Sequence, residues 1–230
     1  KTPSFDESGT KNVSFQEDII FSNLSFSYEK NPNKVLDTLS FIIPKNKITA
    51  FVGPSGSGKS TIVKLLLRAY TYRDGHLTIG EKEFSGINAG FLREHIGYVE
   101  QNVDLLDETI KENILIGVPE KKRNSAEKKL EEVARLARID QFYHRLGDKM
   151  FDTVVGERGI KLSGGERQRI GIARAIIKDP EILIFDEATS ALDTENEKYV
   201  MDAINEVSKG KTTIIIAHRL STVRNADKII

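Results

Sequence analysis

The sequence predicts an α/β fold whose core is a mostly parallel β-sheet. In the second half of the chain, strand-like and helix-like segments alternate, which is typical of parallel strands joined by right-handed helical crossovers. Two early segments carry apolar residues at roughly every second position and predict an antiparallel β flank. A charged stretch with helical spacing lies between these parts and predicts a helical subdomain.

The individual elements follow from the apolar spacing and from turn residues. In the first half we expect strands at 19–28, 35–43 and 47–52, a helix at 61–69, a turn at Asp74-Gly75 before another strand, and a strand at 96–100. In the second half we expect a solvated helix at 126–138, helices at 166–178 and 194–207, and strands at 182–185 and 212–217.

Composition excludes several classes of protein. The chain has no Cys, so disulfides and Cys-type zinc sites are excluded. Lys and Arg number 34, as do Asp and Glu, so no global basic field favours nucleic acid as a partner. The longest apolar runs are too short to span a bilayer, and no signal peptide is predicted behind Lys1. Residues 1–18 are polar and without a period, and we expect them to be a linker or a frayed arm.

A glycine-rich segment lies between the expected strand 47–52 and the helix after it. Its glycines allow several backbone amides to point at one phosphate, and the helix adds its positive end. Lys59 supplies a cation for the phosphates, and the Ser60 hydroxyl can bind Mg²⁺. A chance Gly/Ser turn is the alternative to a nucleoside triphosphate site. The segment fits the pattern G-x-x-x-x-G-K-[ST] and comprises Gly53, Pro54, Ser55, Gly56, Ser57, Gly58, Lys59, Ser60 and Thr61.

An acidic pair, Asp186-Glu187, follows the apolar run 182–185. Ligands of open α/β sheets gather at the carboxyl ends of the strands. Asp186 can therefore hold Mg²⁺ together with Ser60, and Glu187 can act as general base on an attacking water. The alternative is that Glu187 is a solvated or helix-capping residue.

The segment Leu162–Gln168 has two interpretations on its residues alone. Ser163 and Glu166 have the spacing of a capping box that opens a helix. Gly164 and Gly165 are costly in a first helical turn unless something approaches the bare backbone, which indicates a second anion site, either redundant or for another molecule's ATP. The spacing alone does not choose between the cap and the anion site.

The order of these three motifs resembles the nucleotide-binding domain of ABC transporters, with LSGGERQ as its signature. The resemblance covers 19–230 and implies a P-loop NTPase of the ABC type that binds and hydrolyses ATP with Mg²⁺. It also implies a head-to-tail dimer with two ATP molecules in the seam. In that dimer Ser163, Gly164 and Gly165 touch the ATP held by the partner's phosphate loop.

Four further residues match positions of the family. Tyr28 resembles the aromatic residue that stacks on adenine, with a core aromatic as the alternative. Gln101 resembles the glutamine that contacts Mg²⁺ and senses the γ-phosphate, although a strand-ending Gln is usually a solvated turn residue. The segment Ser190-Ala191-Leu192-Asp193 resembles the loop that crosses the dimer seam, with Asp193 as its acid, and Asp193 is also expected to cap a helix. His218 resembles the residue that contacts the γ-phosphate and holds the water with Glu187.

The loop 153–159 resembles one typical of exporters, in which Glu157 faces the coupling helices of the membrane domain. The resemblance thus implies ATP-driven export by an attached transmembrane domain, contacted through the loops of Gln101 and Glu157. It places the domain, itself soluble, at the cytoplasmic face of a membrane. We expect 1–18 to connect to that membrane domain and the helical subdomain to span about 103–178. The sequence does not distinguish lipid, peptide and drug as the exported cargo. It also does not distinguish a homodimer of half-transporters from a transporter made of one long chain.

Two rival functions are weaker. The first is a soluble ABC ATPase that acts on DNA or chromosomes. Such proteins insert a long coiled coil between the loop of the family's glutamine, here Gln101, and the signature, and the interval 101–163 is too short for one. A regulatory module that binds ATP without cleaving it usually lacks the glutamate or histidine, and both are present. The sequence also ends inside an expected strand, so we expect an unpaired edge that lowers stability or promotes association.

Overall fold

A computed structural model describes residues 8–29, 33–146, 149–190, 192–217 and 220–230. The chain divides into two compact units. The first comprises the residues up to Ile96, Glu181–Ile184 and Gly210–Ile230, and the second comprises Gly97–Pro180 and Phe185–Lys209. Within the described part of the chain, no helix has the length and apolar character needed to cross a membrane.

The described chain contains strands, α-helices and several short 3₁₀ turns. The strands are β1 (Ile19–Phe26), β2 (Leu36–Ile43), β3 (Ile48–Val52), β4 (Asp74–Ile79), β5 (Lys82–Glu83), β6 (Ile96–Val99), β7 (Ile182–Asp186), β8 (Thr212–Ala217) and β9 (Lys228–Ile229). The α-helices are α1 (Lys59–Leu66), α2 (Ala89–Glu94), α3 (Ile110–Leu115), α4 (Glu120–Glu127), α5 (Leu130–Leu136), α6 (Gly164–Ile176), α7 (Thr194–Val207) and α8 (Leu220–Val223).

The antiparallel sheet of the first unit has the strand order β2-β1-β4-β5. β1 pairs antiparallel with both β2 and β4, so the expected antiparallel flank is confirmed. The expected turn at Asp74-Gly75 is wrong, because both residues belong to β4 and Asp74 pairs with Ser25. The register shifts next to this pair, and Gly75 has a φ of 82° with Asn23 O only 2.4 Å from the position of a Cβ. Glycine is therefore needed for a bulge rather than for a turn.

The parallel sheet has the order β6-β7-β8-β3-β9. β3 pairs parallel with β8 and with β9, as expected for an α/β core. All six residues of β8 are buried, which is typical of a strand covered on both faces. The final residues do form a strand, and the Ile230 amide continues the pairing with a 2.9 Å hydrogen bond to Ala50 O. Among the described residues β9 is the outermost strand on that side of the sheet, and the effect of its edge on stability or association stays a prediction.

Residues 8–18, which lie in the expected linker, pack against the first unit. Thr10 makes two main-chain hydrogen bonds of 2.9 Å with the segment 86–88. Phe15 is 5% exposed, and its ring stacks on His95 with 4.7 Å between ring centroids. Residues 8–18 are thus ordered by contacts within this unit, and their connection to a preceding membrane domain stays a prediction.

The second unit is mostly helical, and α6 packs on α7, α3 and α5. The single helix expected at 126–138 is wrong, because α4 ends at Glu127 and α5 begins at Leu130. Between them the Lys129 amide bonds to Ala126 O at 2.9 Å, a tighter i to i−3 contact. The tighter turn keeps both Ala126 and Leu130 buried.

Candidate active site

The phosphate loop of the first unit joins β3 to α1 and is organised around Lys59. The Lys59 ammonium donates to Gly53 O and Pro54 O at 2.8 Å each and to Ser57 Oγ at 3.2 Å. Lys59 is only 8% exposed, so its charge is held inside the loop. Three donors matched to three acceptors fix the cation at the place where the motif predicts phosphate.

The backbone of this loop fits an anion. Gly56 and Gly58 have φ values of 83° and 95°, a region that favours glycine. A Cβ on Gly58 would lie 2.6 Å from Leu36 Cδ2, so a side chain there would displace the buried Leu36 in addition to straining the backbone. Gly58 is the N-cap of α1, and no side chain caps the first turn. The amides of that turn can therefore bind phosphate oxygens.

Tyr28 lies against α1 of the same unit. Its hydroxyl is 3.0 Å from Thr61 Oγ1, and Lys64 Nζ lies 5.7 Å from its ring centroid. The rings of Phe26 and Tyr70 meet the Tyr28 ring edge-on, with centroid distances of 5.0 and 5.1 Å. These contacts hold the half-buried ring beside the phosphate loop, and its stacking on adenine stays a prediction.

In the second unit, three residues that belong to different predicted motifs are joined by hydrogen bonds. The Gln101 amide donates to Glu187 Oε2 at 2.9 Å and to Ser190 Oγ at 3.1 Å. Glu187 is half-buried and has a φ of 51°. A non-glycine residue in this left-handed region costs about 1–3 kcal/mol. The structure thus places the predicted general base next to the predicted γ-phosphate sensor.

Asp186 has a contact that sequence reasoning missed. The Tyr98 hydroxyl on β6 donates to Asp186 Oδ2 on β7 at 3.2 Å. Burial, followed by the charges of Asp186 and Glu100, raises the pKa of Tyr98. Tyr98 therefore stays protonated, and remains a donor, throughout the physiological pH range. Only the neighbourhood of β6 and β7 in the sheet could have revealed the pair, and the sequence does not state strand order.

The signature segment forms the capping box that its spacing predicts. Ser163 Oγ accepts from the Glu166 amide at 3.3 Å, and Glu166 Oε2 accepts from the Ser163 amide at 2.7 Å. Burial acts to raise the pKa of Glu166, but hydrogen bonds from Arg145 and the Ser163 amide outweigh it and hold that pKa below its ordinary value. Ser163 itself is exposed, so the cap leaves its hydroxyl accessible to a ligand.

The two signature glycines have different surroundings. A Cβ on Gly165 would lie 2.6–2.8 Å from three atoms of the Asn196 side chain, including its Cβ. A Cβ on Gly164 would lie 3.2 Å from Leu192 Cδ2 and 3.9 Å from Arg167 Nη2, both at the ends of flexible side chains. Close packing of α6 against α7 is thus one reason for glycine at 165, whereas Gly164 is half-exposed and faces less crowding.

We therefore expect Gly165→Ala to lower the free energy of unfolding by about 1–3 kcal/mol, the usual cost of overpacking. The loss should appear although alanine is the better helix former. Urea denaturation measures it, with Gly86→Ala as the control, since a Cβ on Gly86 would meet no atom within 4 Å. A Gly165→Ala chain as stable as the control would contradict this packing argument.

Asp193 is the N-cap of α7, as the sequence predicts. Its Oδ1 accepts from the amides of Glu195 and Asn196 at 3.1 and 3.0 Å. A hydrogen bond from the Asn196 side chain is the main cause that lowers the pKa of Asp193. The capping role is thus explained by geometry, and the role at a dimer seam stays a prediction. His218 lies outside the described residues.

Gln168 of the signature is a second residue whose contact the sequence did not reveal. It is buried on α6, and its amide donates to Gln101 O at 2.5 Å and to Glu100 O at 3.3 Å. The signature helix therefore holds the backbone that carries the predicted γ-phosphate sensor. No spacing rule predicts a side-chain contact across 67 residues.

A groove of about 540 Å³ lies next to these residues within the second unit. It is lined by Gln101, Asn102, Val103, Asp104, Glu157, Arg158, Ile160, Gly164, Arg167, Gln168, Ala188 and Leu192. Two main-chain hydrogen bonds hold the loop that carries Glu157. The Val155 amide donates to Glu108 O, and the Ile110 amide donates to Thr153 O. The groove thus brings the glutamine loop, the exporter-type loop and the signature together.

Comparison with known proteins decides the family. The sequence profile described as "ABC transporter" matches residues 36–190, which is more than half of the chain. The chain belongs to the ABC transporter family. Its P-loop fold is that of the ABC ATPases, and ATP binding and ATP hydrolysis are the general activities of these domains.

Individual ABC proteins match nearly the whole chain. ATP-binding cassette sub-family B member 5 of Mus musculus is 46% identical over 234 residues, which cover 100% of this chain and 18% of that protein. The uncharacterized ABC transporter ATP-binding protein YwjA of Bacillus subtilis is 42% identical over 226 residues, covering 98% of this chain and 38% of that protein. The solved "Structure of a bacterial Atm1-family ABC exporter with ATP bound" matches with a TM-score of 0.84 and 40% identity, over 98% of this chain and 38% of that chain.

This chain therefore spans well under half the length of the ABC relatives it matches. Among the residues that the structure describes, no group of three or more His, Asp or Glu side chains could hold a metal ion by itself. The predicted metal ligands are instead a hydroxyl, an amide oxygen and one carboxylate, on Ser60, Gln101 and Asp186. These are hard oxygen donors, which fit Mg²⁺.

Proposed function

We propose that this chain is the ATP-hydrolysing domain of an exporter, acting as a head-to-tail dimer that powers an attached transmembrane domain. The observation that carries the proposal is the hydrogen-bonded group of Gln101, Glu187 and Ser190 in the second unit. These residues come from three separate family motifs. Their contact supplies a general base held by a residue that can respond to the γ-phosphate.

Catalysis in this domain is proposed to rest on positioning and electrostatics. Glu187 accepts a proton from the attacking water, and its carboxylate is oriented by the Gln101 amide. Lys59 and the amides at the start of α1 hold the phosphates and offset the charge that develops on them. When bound to Ser60, Gln101 and Asp186, Mg²⁺ would neutralise phosphate charge and orient the phosphate chain.

The proposed dimer is supported by the signature segment. The first turn of α6 presents an exposed Ser163 hydroxyl and the backbone of Gly164. Contacts with neighbouring atoms do not by themselves require glycine at position 164. A helix start with these features favours an anion. Since the phosphate loop of the same chain already provides one anion site, we assign the second to the ATP of a partner chain.

The shared site predicts how the rate of hydrolysis depends on protein concentration. At low concentration the rate should rise with about the square of the chain concentration, because active dimers form by mass action. Steady-state phosphate release over a wide range of concentrations measures this dependence. A Ser163→Arg chain is the control, and its rate should stay low throughout because arginine blocks the signature contact. Strict proportionality in the unaltered chain would count against the shared site.

The surface that we assign to the membrane domain is the groove between the loops of Gln101 and Glu157. Ile160 at its edge is 80% exposed, and Val154 in the same loop is 42% exposed. Exposed apolar residues beside a groove are typical of protein–protein contacts. The similarity to a solved structure titled as an ABC exporter supports a location at the cytoplasmic face of a membrane, and the cargo would bind in the membrane domain.

A further inference from the structure

Tyr98 lies close to the reaction site without belonging to any motif in the sequence. It is on β6, three positions before Gln101, and its hydroxyl donates to Asp186 Oδ2 at 3.2 Å. β6 and β7 are neighbouring strands, so the backbones that carry the two side chains are held side by side in the sheet. The half-buried phenol is thus anchored by the sheet and bonds to the carboxylate that is proposed to bind Mg²⁺.

We propose that Tyr98 is a positioning residue that fixes the Asp186 carboxylate for a divalent cation. This inference rests on the proposed function, in which Asp186 contributes to the metal site. It concerns orientation alone, and Tyr98 does not touch the nucleotide or the metal.

The physical argument begins with the freedom of a carboxylate. Rotation of the Asp carboxylate about its last side-chain bond is broad, so the direction of its two oxygens is poorly defined by rotamer preference. A donor on Oδ2 fixes the plane of the group and leaves Oδ1 with a defined direction. When a residue that hydrogen-bonds to a metal ligand is mutated, the affinity for the metal typically falls by about 10–100-fold.

The chemistry of the donor is also suited to the task. A phenol is neutral, so it orients the carboxylate without cancelling the negative charge that a cation needs. Lysine or arginine at this position would pair with Asp186 and compete with the metal.

The test uses Mn²⁺ as the probe and the whole chain loaded with a non-hydrolysable ATP analogue. Electron paramagnetic resonance of free Mn²⁺ gives the dissociation constant directly, without turnover. Tyr98→Phe removes only the hydroxyl, and we expect Mn²⁺ to bind about tenfold more weakly. Affinity for the analogue in EDTA should be unchanged, and the KM for Mg²⁺ in ATP hydrolysis should rise more than kcat falls.

Tyr72→Phe is the matched control. Tyr72 is also a half-buried phenol that donates to a carboxylate, Glu83 Oε2 at 2.7 Å, and its pKa is raised to about 12, chiefly by burial. It lies on the β4–β5 side of the first unit, outside the proposed catalytic residues. Its loss should leave Mn²⁺ affinity unchanged, so a similar weakening in both variants would overturn the inference.

Asp186→Asn separates failure of this inference from failure of the proposed metal site. Weak Mn²⁺ binding in Asp186→Asn together with normal binding in Tyr98→Phe would overturn the role of Tyr98 and leave Asp186 as a ligand. Normal Mn²⁺ binding in Asp186→Asn would remove Asp186 from the metal site, and the inference would fall with it. A Tyr98→Phe chain that loses analogue affinity in EDTA would show a general structural role and would also overturn it.

Discussion

Glu187→Gln should retain ATP binding and lose most of the turnover of the chain, by about 10²–10⁴-fold, the usual contribution of one general base. Glutamine has nearly the size of glutamate, and its amide oxygen can still accept the hydrogen bond that the Gln101 amide donates to Oε2 at 2.9 Å. The local geometry should therefore persist. What disappears is the carboxylate that accepts the proton from water.

Two measurements separate these effects. Equilibrium titration with a fluorescent ATP analogue should give a dissociation constant within about twofold of the unaltered chain, while single-turnover hydrolysis should be slow. Glu195→Gln is the matched control, since Glu195 is an exposed glutamate in the first turn of α7. The Glu195→Gln chain should hydrolyse ATP at the normal rate. A Glu187→Gln chain that turns over at nearly the normal rate would rule out Glu187 as the base.

Lys59→Ala should instead fail at the binding step. The ammonium is the only side-chain donor that the described structure places on Gly53 O and Pro54 O, at 2.8 Å each, and it sits where the phosphates are expected. Its removal leaves phosphate without this cation and takes the side-chain donor from both loop carbonyls, of which Pro54 O keeps the Ser57 amide at 3.3 Å. Hydrogen bonds to charged groups contribute about 1.5–3 kcal/mol, so the dissociation constant for ATP should rise by about 10–150-fold.

Isothermal titration calorimetry with ATP measures this loss, and thermal melting verifies that the chain is folded. Lys82→Ala on β5 removes one positive charge from an exposed position and is the control for a change in net charge. A Lys59→Ala chain that is folded and binds ATP as tightly as Lys82→Ala would contradict the placement of phosphate at Lys59.

Elements whose boundaries depend on local chemistry were predictable from the sequence. The bounds of α7 follow from the Asp193 cap and a clear apolar period, and the structure has the same Thr194–Val207. The capping box likewise predicted where α6 begins, with Ser163 as its N-cap. β8 was predictable because an uninterrupted apolar run is typical of a strand buried on both faces.

Features that depend on packing across the sheet or between helices were not predictable. Gly75 indicated a turn by its residue type, but the structure uses it where β1 bulges against β4. The donor for Asp186 could be found only after the structure had placed Tyr98 on the adjacent strand. Charge spacing gave no indication that the backbone tightens between Glu127 and Leu130.

The packing of residues 8–18 determines which bonds carry a load along the chain. Tension applied at this end of the described chain would load the two main-chain hydrogen bonds of Thr10 to the 86–88 segment, each 2.9 Å long. Only after these open does the pull reach Phe15 on the His95 ring. Because α2 begins directly after Asn88, these bonds attach residues 8–18 to the start of that helix, ahead of β1 in the chain.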